Sequence, residues 1–117
     1  MKDFRELKVW EKSHQFTLKI YSLSNSFPKD ELFGIVSQIR RASSSIAINI
    51  AEGCGRGSDA DFARFLQMSL GSASETEYLI LLSADLNYIP EIKKEELLLE
   101  IQEIKKMLTS LIIKIRK

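Results

Sequence analysis

The sequence has few of the residues that build disulfide-rich, metal-binding or tightly turned folds. Its 117 residues include one cysteine, one histidine, two prolines and five glycines. One cysteine excludes an internal disulfide and favours a reducing compartment. One cysteine and one histidine are also too few for a zinc site of the usual type. So few turn residues argue against a β-sandwich. We therefore expect no metal, no cofactor and a single domain over residues 1–117.

The sequence also has no long hydrophobic run. The longest uninterrupted apolar segment is Tyr78–Leu82, far short of the roughly 18 residues that cross a membrane. The first residues show no apolar segment of a signal peptide. The 44% of hydrophobic residues and the net charge of +1 are typical of a folded chain. We expect a cytoplasmic protein without membrane contact.

An excess of one charge is absent overall but present locally. Residues 1–58 carry nine basic and six acidic side chains, residues 59–104 carry three and ten, and residues 105–117 carry five and none. These blocks have net charges of +3, −7 and +5. Either segments of opposite sign face each other, within or between chains, or the blocks are solvated helix faces. The small total charge argues against a strongly basic nucleic-acid-binding domain.

Four segments show helical periodicity, and none alternates as a strand does. The fourth segment is the clearest, because its apolar residues follow steps of four and three: Leu97, Ile101, Ile104, Leu108, Leu111 and Ile115. The second segment is predicted over residues 30–52, with an apolar stripe that starts at Leu32, and the third from Ser58 to about Leu86. Four helices with three short connections predict an all-α, antiparallel up-down-up-down four-helix bundle.

The first predicted helix, over residues 7–23, has apolar residues on two sides. One stripe contains Trp10, His14 and Tyr21, and the other contains Val9, Phe16, Ile20 and Leu23. Two stripes need two partners. The second partner is either another subunit or a deeper part of the same core. In the first case, Trp10, His14 and Tyr21 form an oligomer interface.

The motifs that would indicate catalysis are incomplete. Glu11 and His14 form half of the Glu-x-x-His signature of di-iron bundles, but there is no second histidine. The Gly53–Gly57 loop lacks Gly-Lys-Ser/Thr and follows a helix rather than a strand, so it does not match a phosphate loop. We interpret it as a chain reversal in which Arg56 could hold one anion. Cys54 has no activating base nearby in sequence. We predict no enzyme and no catalytic residue.

Charged residues inside the helices predict a polar network. Arg40 and Arg41 border the apolar stripe of the second helix, and a buried charge requires a partner. Glu75 and Glu77 of the third helix are the candidate partners, and Glu52 lies near the end of the second. The alternative role of the two arginines is contact with nucleic-acid phosphate.

The largest acid-free group of cations lies at the C-terminal end of the fourth helix. Its members are Lys105, Lys106, Lys114, Arg116 and Lys117. We predict that these residues, together with Arg56, contact RNA if RNA is bound. The structural alternative is a solvated helix end whose cations complement the helix dipole.

Several motifs, in order, resemble those of one protein family. They are Phe4-Arg5-Glu6-Leu7-Lys8-Val9-Trp10, Phe27-Pro28, Gln38-Ile39-Arg40-Arg41-Ala42, Asn49-Ile50-Ala51-Glu52-Gly53 and Gly71-Ser72 followed by Glu75 and Glu77. From Phe4 to Ile115 the chain resembles the four-helix-bundle proteins encoded in intervening sequences of bacterial 23S ribosomal RNA genes. The chain differs from the family pattern in places: Ala47 stands where many relatives have proline, and Thr76 stands where leucine is usual.

That resemblance implies an antiparallel four-helix bundle that assembles into a ring-shaped homopentamer. It implies no established enzymatic activity and no catalytic residues. Structured RNA or a ribonucleoprotein is the implied partner, because the family is encoded within ribosomal RNA genes and is similar to retroelement accessory proteins that bind RNA and a reverse transcriptase. The alternative is a protein-binding scaffold that makes no contact with nucleic acid.

Overall fold

The computed structural model describes residues 2–117 and is helical almost throughout. Its long helices are α1 (Lys8–Ser24), α2 (Ser37–Cys54), α3 (Asp59–Asp85) and α4 (Glu91–Arg116). Shorter turns are 3₁₀ at Phe4–Glu6 and Lys29–Glu31, and π at Leu32–Val36. Residues 2–117 contain no β-strand. The four helices pack as a bundle, which confirms the predicted all-α class.

Local sequence chemistry defines the two ends of α3. The Ser58 hydroxyl accepts the Asp61 backbone N–H at 3.1 Å, which is the predicted N-terminal cap. After α3 ends, Asn87 has a φ of 65°, a left-handed conformation that asparagine tolerates better than most residues. Pro90 then precedes the first residue of α4, where no intrahelical N–H donor is required.

A single apolar core joins all four helices. Its fully enclosed large apolar side chains are Phe16, Ile20, Ile39, Ile46, Ile50, Leu66, Ile80, Ile101, Ile104 and Leu108. Each side chain of this size contributes about 1.5–3 kcal/mol when fully buried. The predicted small residues of α2 let its neighbours approach closely. Ser69 donates to the Ile46 carbonyl at 2.7 Å, and Thr17 donates to the Ser43 carbonyl at 3.1 Å.

The second helix begins later than its sequence predicts, since α2 starts at Ser37. The interruption is at Gly34, whose φ of −107° and ψ of −114° lie outside the helical region. There the Glu31 carboxylate accepts the Ile35 N–H at 3.4 Å, and a Cβ on residue 34 would lie 2.6 Å from that carboxylate. Any larger residue would displace it. The predicted stripe is therefore wrong at Leu32, which is 51% exposed.

The buried residues of α4 also depart from the predicted spacing of four and three at the C-terminal end of the helix. Leu97, Ile101, Ile104 and Leu108 are buried as predicted. The next buried residue is Ile112, whereas Leu111 is only partly buried. A straight helix has 3.6 residues per turn and drifts by about 20° per heptad relative to a 3.5-residue repeat. The core contact therefore moves from residue 111 to residue 112.

Candidate partner-binding surfaces

The two apolar faces of α1 have different surroundings. Val9, Phe16 and Ile20 are buried in the core. The opposite face carries four residues that we call the outer stripe: Trp10, His14, Leu18 and Tyr21. Leu18 is 50% exposed, Tyr21 is 42% exposed, and Trp10 and His14 are partly exposed. Residues 2–117 of a single chain therefore leave this stripe partly open, although Trp10 also packs against the edge of the core.

Aromatic contacts hold part of the outer stripe in a fixed arrangement. The Trp10 and His14 rings stack with centroids 5.1 Å apart and planes within 7° of parallel. The Phe4 ring meets Trp10 edge-on at 4.9 Å. Together with Ile48 of α2, which is half exposed, these rings line an open groove of about 300 Å³ between α1 and α2. A rigid, partly exposed aromatic surface of this kind is typical of protein–protein hot spots.

Arg40 supports this surface and does not reach the predicted glutamates. Its guanidinium donates to the Ser24 hydroxyl at 2.8 Å, to the Asn25 side-chain oxygen at 2.9 Å and to the Tyr21 carbonyl at 3.2 Å. The same group lies 4.8 Å from the centre of the Tyr21 ring. Arg40 therefore ties α2 to the C-terminal end of α1. Of the two arginines predicted as alternative partners of Glu75 or Glu77, Arg40 does not make that pair.

Arg41 makes the predicted contact with α3, but on the surface. Its guanidinium lies 3.4 Å from the Glu75 carboxylate, and the two side chains are 67% and 46% exposed. Exposed pairs of this kind stabilise by about 0–1 kcal/mol. Glu52, the other predicted member of the network, is exposed and makes no ion pair with residues 2–117.

The better enclosed ion pair joins Glu77 of α3 to Lys105 of α4. The Lys105 ammonium lies 2.9 Å from the Glu77 carboxylate, and Gln102 donates to the other oxygen at 3.3 Å. The side chains of Glu77 and Lys105 are 22% and 31% exposed. The hydrogen bond from Lys105, reinforced by the one from Gln102, lowers the pKa of Glu77 against the opposing effect of burial. Lys105 is thus engaged within the bundle, unlike the other cations of its group.

Those other cations lie on two sides of α4. Lys106 and Lys114 line a groove against α1, and Arg116 and Lys117 line another against α3. All four are exposed, and none makes an ion pair with residues 2–117. The C-terminal end of α4 therefore presents four cations to solvent without a neutralising acid.

The glycine-rich loop packs as a chain reversal. A Cβ on Gly53 would lie 2.9 Å from that of Phe65, so a larger residue would force the loop away from α3. Arg56 lies over the Phe65 ring at 4.5 Å, and Arg64 lies over the same ring at 4.7 Å. Cys54 is buried, and burial raises the pKa of its thiol. A buried, protonated thiol is a poor nucleophile.

Two kinds of site are absent from the part of the chain that the structure covers. Within residues 2–117, no three histidine, cysteine, aspartate or glutamate side chains converge in a way that could bind a metal ion. None of the helices there combines the length and apolar character needed to span a bilayer.

Several residues of these surfaces were not predicted from the sequence. Ile48 lies off the apolar stripe of α2, and an apolar residue at such a position is a sequence signal for an exposed hydrophobic side chain. Lys8 and Met107 line a groove that only the packing of α1 on α4 creates. Arg64 follows the acidic first turn of α3, and its shared contact with Phe65 has no sequence signature.

Comparison with known proteins identifies a family and solved structures of similar fold. The sequence model of the family described as 23S rRNA-intervening sequence protein matches residues 5–110. A crystal structure of a protein with unknown function from the S23 ribosomal protein family of Bacteroides thetaiotaomicron is 34% identical and superposes with a TM-score of 0.82. The match covers 89% of this chain and 94% of that one. No curated protein matches the sequence.

Proposed function

Because the chain belongs to the 23S rRNA-intervening sequence protein family, we propose that it is a non-catalytic bundle that assembles into a homo-oligomer and binds structured RNA or a ribonucleoprotein. The observation that carries the proposal is the outer stripe of α1, an ordered aromatic surface that its own chain does not enclose. The proposed setting is the cytoplasm, which the single, buried cysteine favours.

Self-association through the outer stripe follows from its chemistry. Trp10 and Tyr21 are among the residue types most enriched at interface hot spots, and Arg40 fixes the position of Tyr21. A second copy would cover Leu18 and Ile48, which are each 50% exposed in one chain. The number five comes from the resemblance to a family of ring-shaped homopentamers. A ring requires two different surfaces per protomer, one on each side.

Within each protomer, we propose the up-down-up-down arrangement of antiparallel helices. Lys12 and Lys19 of α1 pair with Glu103 and Glu100 of α4, so the contacts run in opposite directions along the two helices. Contacts between α2 and α3 follow the same rule: Ile46 with Ser69 and Arg41 with Glu75. Short connections between sequential helices also favour this topology.

RNA contact is proposed for the C-terminal end of α4. The candidate residues are Lys114, Arg116 and Lys117, with Arg56 of the glycine-rich loop as a further cation. Symmetry would repeat this cluster around a ring, so weak individual contacts would add through avidity. Lys105 is less suitable because it is held by Glu77 at 2.9 Å.

The test is binding of structured RNA at two salt concentrations. We compare the wild type with a Lys114→Gln, Arg116→Gln, Lys117→Gln variant, and use Lys29→Gln, Lys93→Gln, Lys94→Gln at the opposite end of the bundle as the matched control. Loss of three phosphate contacts should reduce the log–log salt slope by about 2–3 per engaged protomer. The control should keep the wild-type slope. Salt-insensitive binding by the wild type, or equal slopes for all three proteins, would reject RNA contact at this end.

The second candidate function is a protein-binding scaffold. One observation favours it: of the five predicted RNA-binding cations in residues 105–117, Lys105 is used internally, and Lys106 and Lys114 line a groove with an apolar floor. Phosphate contacts do not need such a floor, whereas a docked protein segment does. Partner binding that resists both salt and nuclease treatment would support the scaffold over RNA binding.

A further inference from the structure

A second groove lies on the other side of α1, against the C-terminal half of α4. It is open, with a volume of about 530 Å³, and we call it the α1/α4 groove. Its floor is made of aliphatic and thioether side chains: Leu7, Val9, Met107 and Leu111. Its rim carries the lysines Lys8, Lys106 and Lys114, together with Glu103 and Ser110. It is separate from the groove beside the outer stripe, which lies between α1 and α2.

The charge of the rim favours an anionic occupant. Lys8, Lys106 and Lys114 make no ion pair with any of residues 2–117. Glu103, the acid on the rim, is already neutralised by Lys12 at 3.2 Å. Farther along the same pair of helices, by contrast, Lys19 is matched by Glu100. The three unpaired lysines therefore give the rim of this groove a net positive charge.

The floor of the groove favours a protein segment over RNA. Unpaired bases are bound by stacking on aromatic rings, and none of the residues from 2 to 117 that line the α1/α4 groove is aromatic. Leucine, valine and methionine instead suit aliphatic side chains, and the flexible Met107 can adapt to their shape. The stretch of α4 from Lys106 to Lys114 is about 12 Å long at 1.5 Å per residue, which equals roughly two helical turns.

We propose that the α1/α4 groove docks a short amphipathic helix of a partner protein. Aliphatic residues of that helix would enter the groove, and its flanking acidic residues would face Lys8, Lys106 and Lys114. This is the helix-in-groove mode of recognition, in which one apolar face supplies affinity and the charged rim supplies orientation. The inference does not depend on self-association through the outer stripe, because it uses a different face of α1. It shares Lys114 with the proposed RNA contact, but Lys8 and the apolar floor are not part of that contact.

The test is selection of a displayed random peptide library against the intact protein, followed by affinity measurements. We expect enrichment of helical peptides with aliphatic residues at spacings of three and four and with several acidic residues. Binding to a Lys8→Glu, Lys106→Glu variant should be weaker by about tenfold or more, because rim attraction becomes repulsion. Lys29→Glu, which reverses an exposed lysine away from the groove, should bind like the wild type.

A floor variant gives an independent readout. Leu111→Ala should weaken the same peptides by about tenfold or more, with circular dichroism confirming that the bundle is retained. Leu111 also packs on the core, so its substitution could act through folding. Ser110 is exposed and lines the groove, and Ser110→Glu should therefore lower the affinity for the peptides without affecting folding.

Three results would overturn the proposal. The first is a selection that yields no acidic amphipathic peptide. The second is peptides that bind the Lys8→Glu, Lys106→Glu variant as tightly as the wild type. The third is a selection that yields peptides resembling residues 91–104 of this chain, combined with a lower oligomer mass in solution for the Lys8→Glu, Lys106→Glu variant than for the wild type. That result would assign the groove to a second copy of the protein.

Discussion

The two faces of α1 belong to one helix but have different composition and surroundings. The inner face buries apolar side chains and small hydroxyl residues such as Ser13, and both Phe16 and Ile20 are only 1% exposed. The outer stripe is mainly aromatic, stacks Trp10 on His14 and remains open to solvent in a single chain. The inner face therefore holds the protomer together, and the outer stripe is available for a second chain. If this division is correct, mutations on the two faces should change different properties.

The largest expected effect is on the inner face. Phe16→Ala should lower the free energy of unfolding by about 3–5 kcal/mol, because it removes an enclosed aromatic ring and leaves a cavity between helices. Urea denaturation followed by circular dichroism measures this loss. A loss below about 1 kcal/mol would mean that the ring is not in the core.

A substitution on the outer stripe should act on assembly instead. Trp10→Ala should raise the protomer concentration at half-dissociation by about thirtyfold or more, since interface hot spots contribute about 2 kcal/mol or more. Sedimentation over a dilution series measures the change.

The matched control for Trp10→Ala is Tyr78→Ala, which removes an aromatic ring that is 60% exposed on α3. It should leave the half-dissociation concentration unchanged. Equal shifts for both variants would remove the distinction between the outer stripe and the rest of the surface.

Smaller effects are expected from the polar contacts between helices. A double-mutant cycle for Glu77 and Lys105 should give a coupling of about 1 kcal/mol or more, because this pair is partly enclosed. The exposed pair of Arg41 and Glu75 should give about 0.2–1 kcal/mol. Free energies from urea unfolding of the single and double variants provide both values. The reverse order would show that enclosure does not determine their strength.

The smallest effect concerns acid stability. The pKa of Glu77 is lower in the folded protein than its ordinary value, chiefly because Lys105 donates to its carboxylate. The stabilisation is therefore complete above the unfolded value of about 4.3 and is lost as the pH falls through the lower, folded value. The stability difference between wild type and Glu77→Gln should shrink below about pH 4.3 in urea unfolding. A constant difference down to pH 2 would contradict this origin.

Most of the bundle could be predicted from periodicity and capping residues. The N-terminal cap of α3 at Ser58 and the first four buried positions of α4 follow directly from local rules. The late start of α2 could not be predicted, because the conformation of Gly34 depends on a hydrogen bond from Ile35 to the Glu31 side chain. A glycine within a helical pattern is compatible with either outcome.

The polar contacts were less predictable than the core. Arg40 borders an apolar stripe, and its need for partners was clear from sequence. Its partners are hydroxyl, amide and carbonyl groups at the end of α1, which lie 15 to 19 residues away in the chain. Only the packing of α1 on α2 brings them together. For the same reason, the pairing of Glu77 with Lys105, 28 residues away, had no local signature.

Light scattering of the purified protein during size-exclusion chromatography tests the central claim most directly. If the outer stripe is an interface between copies, the measured mass should be near five times the 13.4 kDa protomer mass at micromolar concentration. Trp10→Ala should shift that mass toward a single protomer, while Tyr78→Ala should not. A wild-type mass of one protomer at micromolar concentration would contradict self-association through the outer stripe.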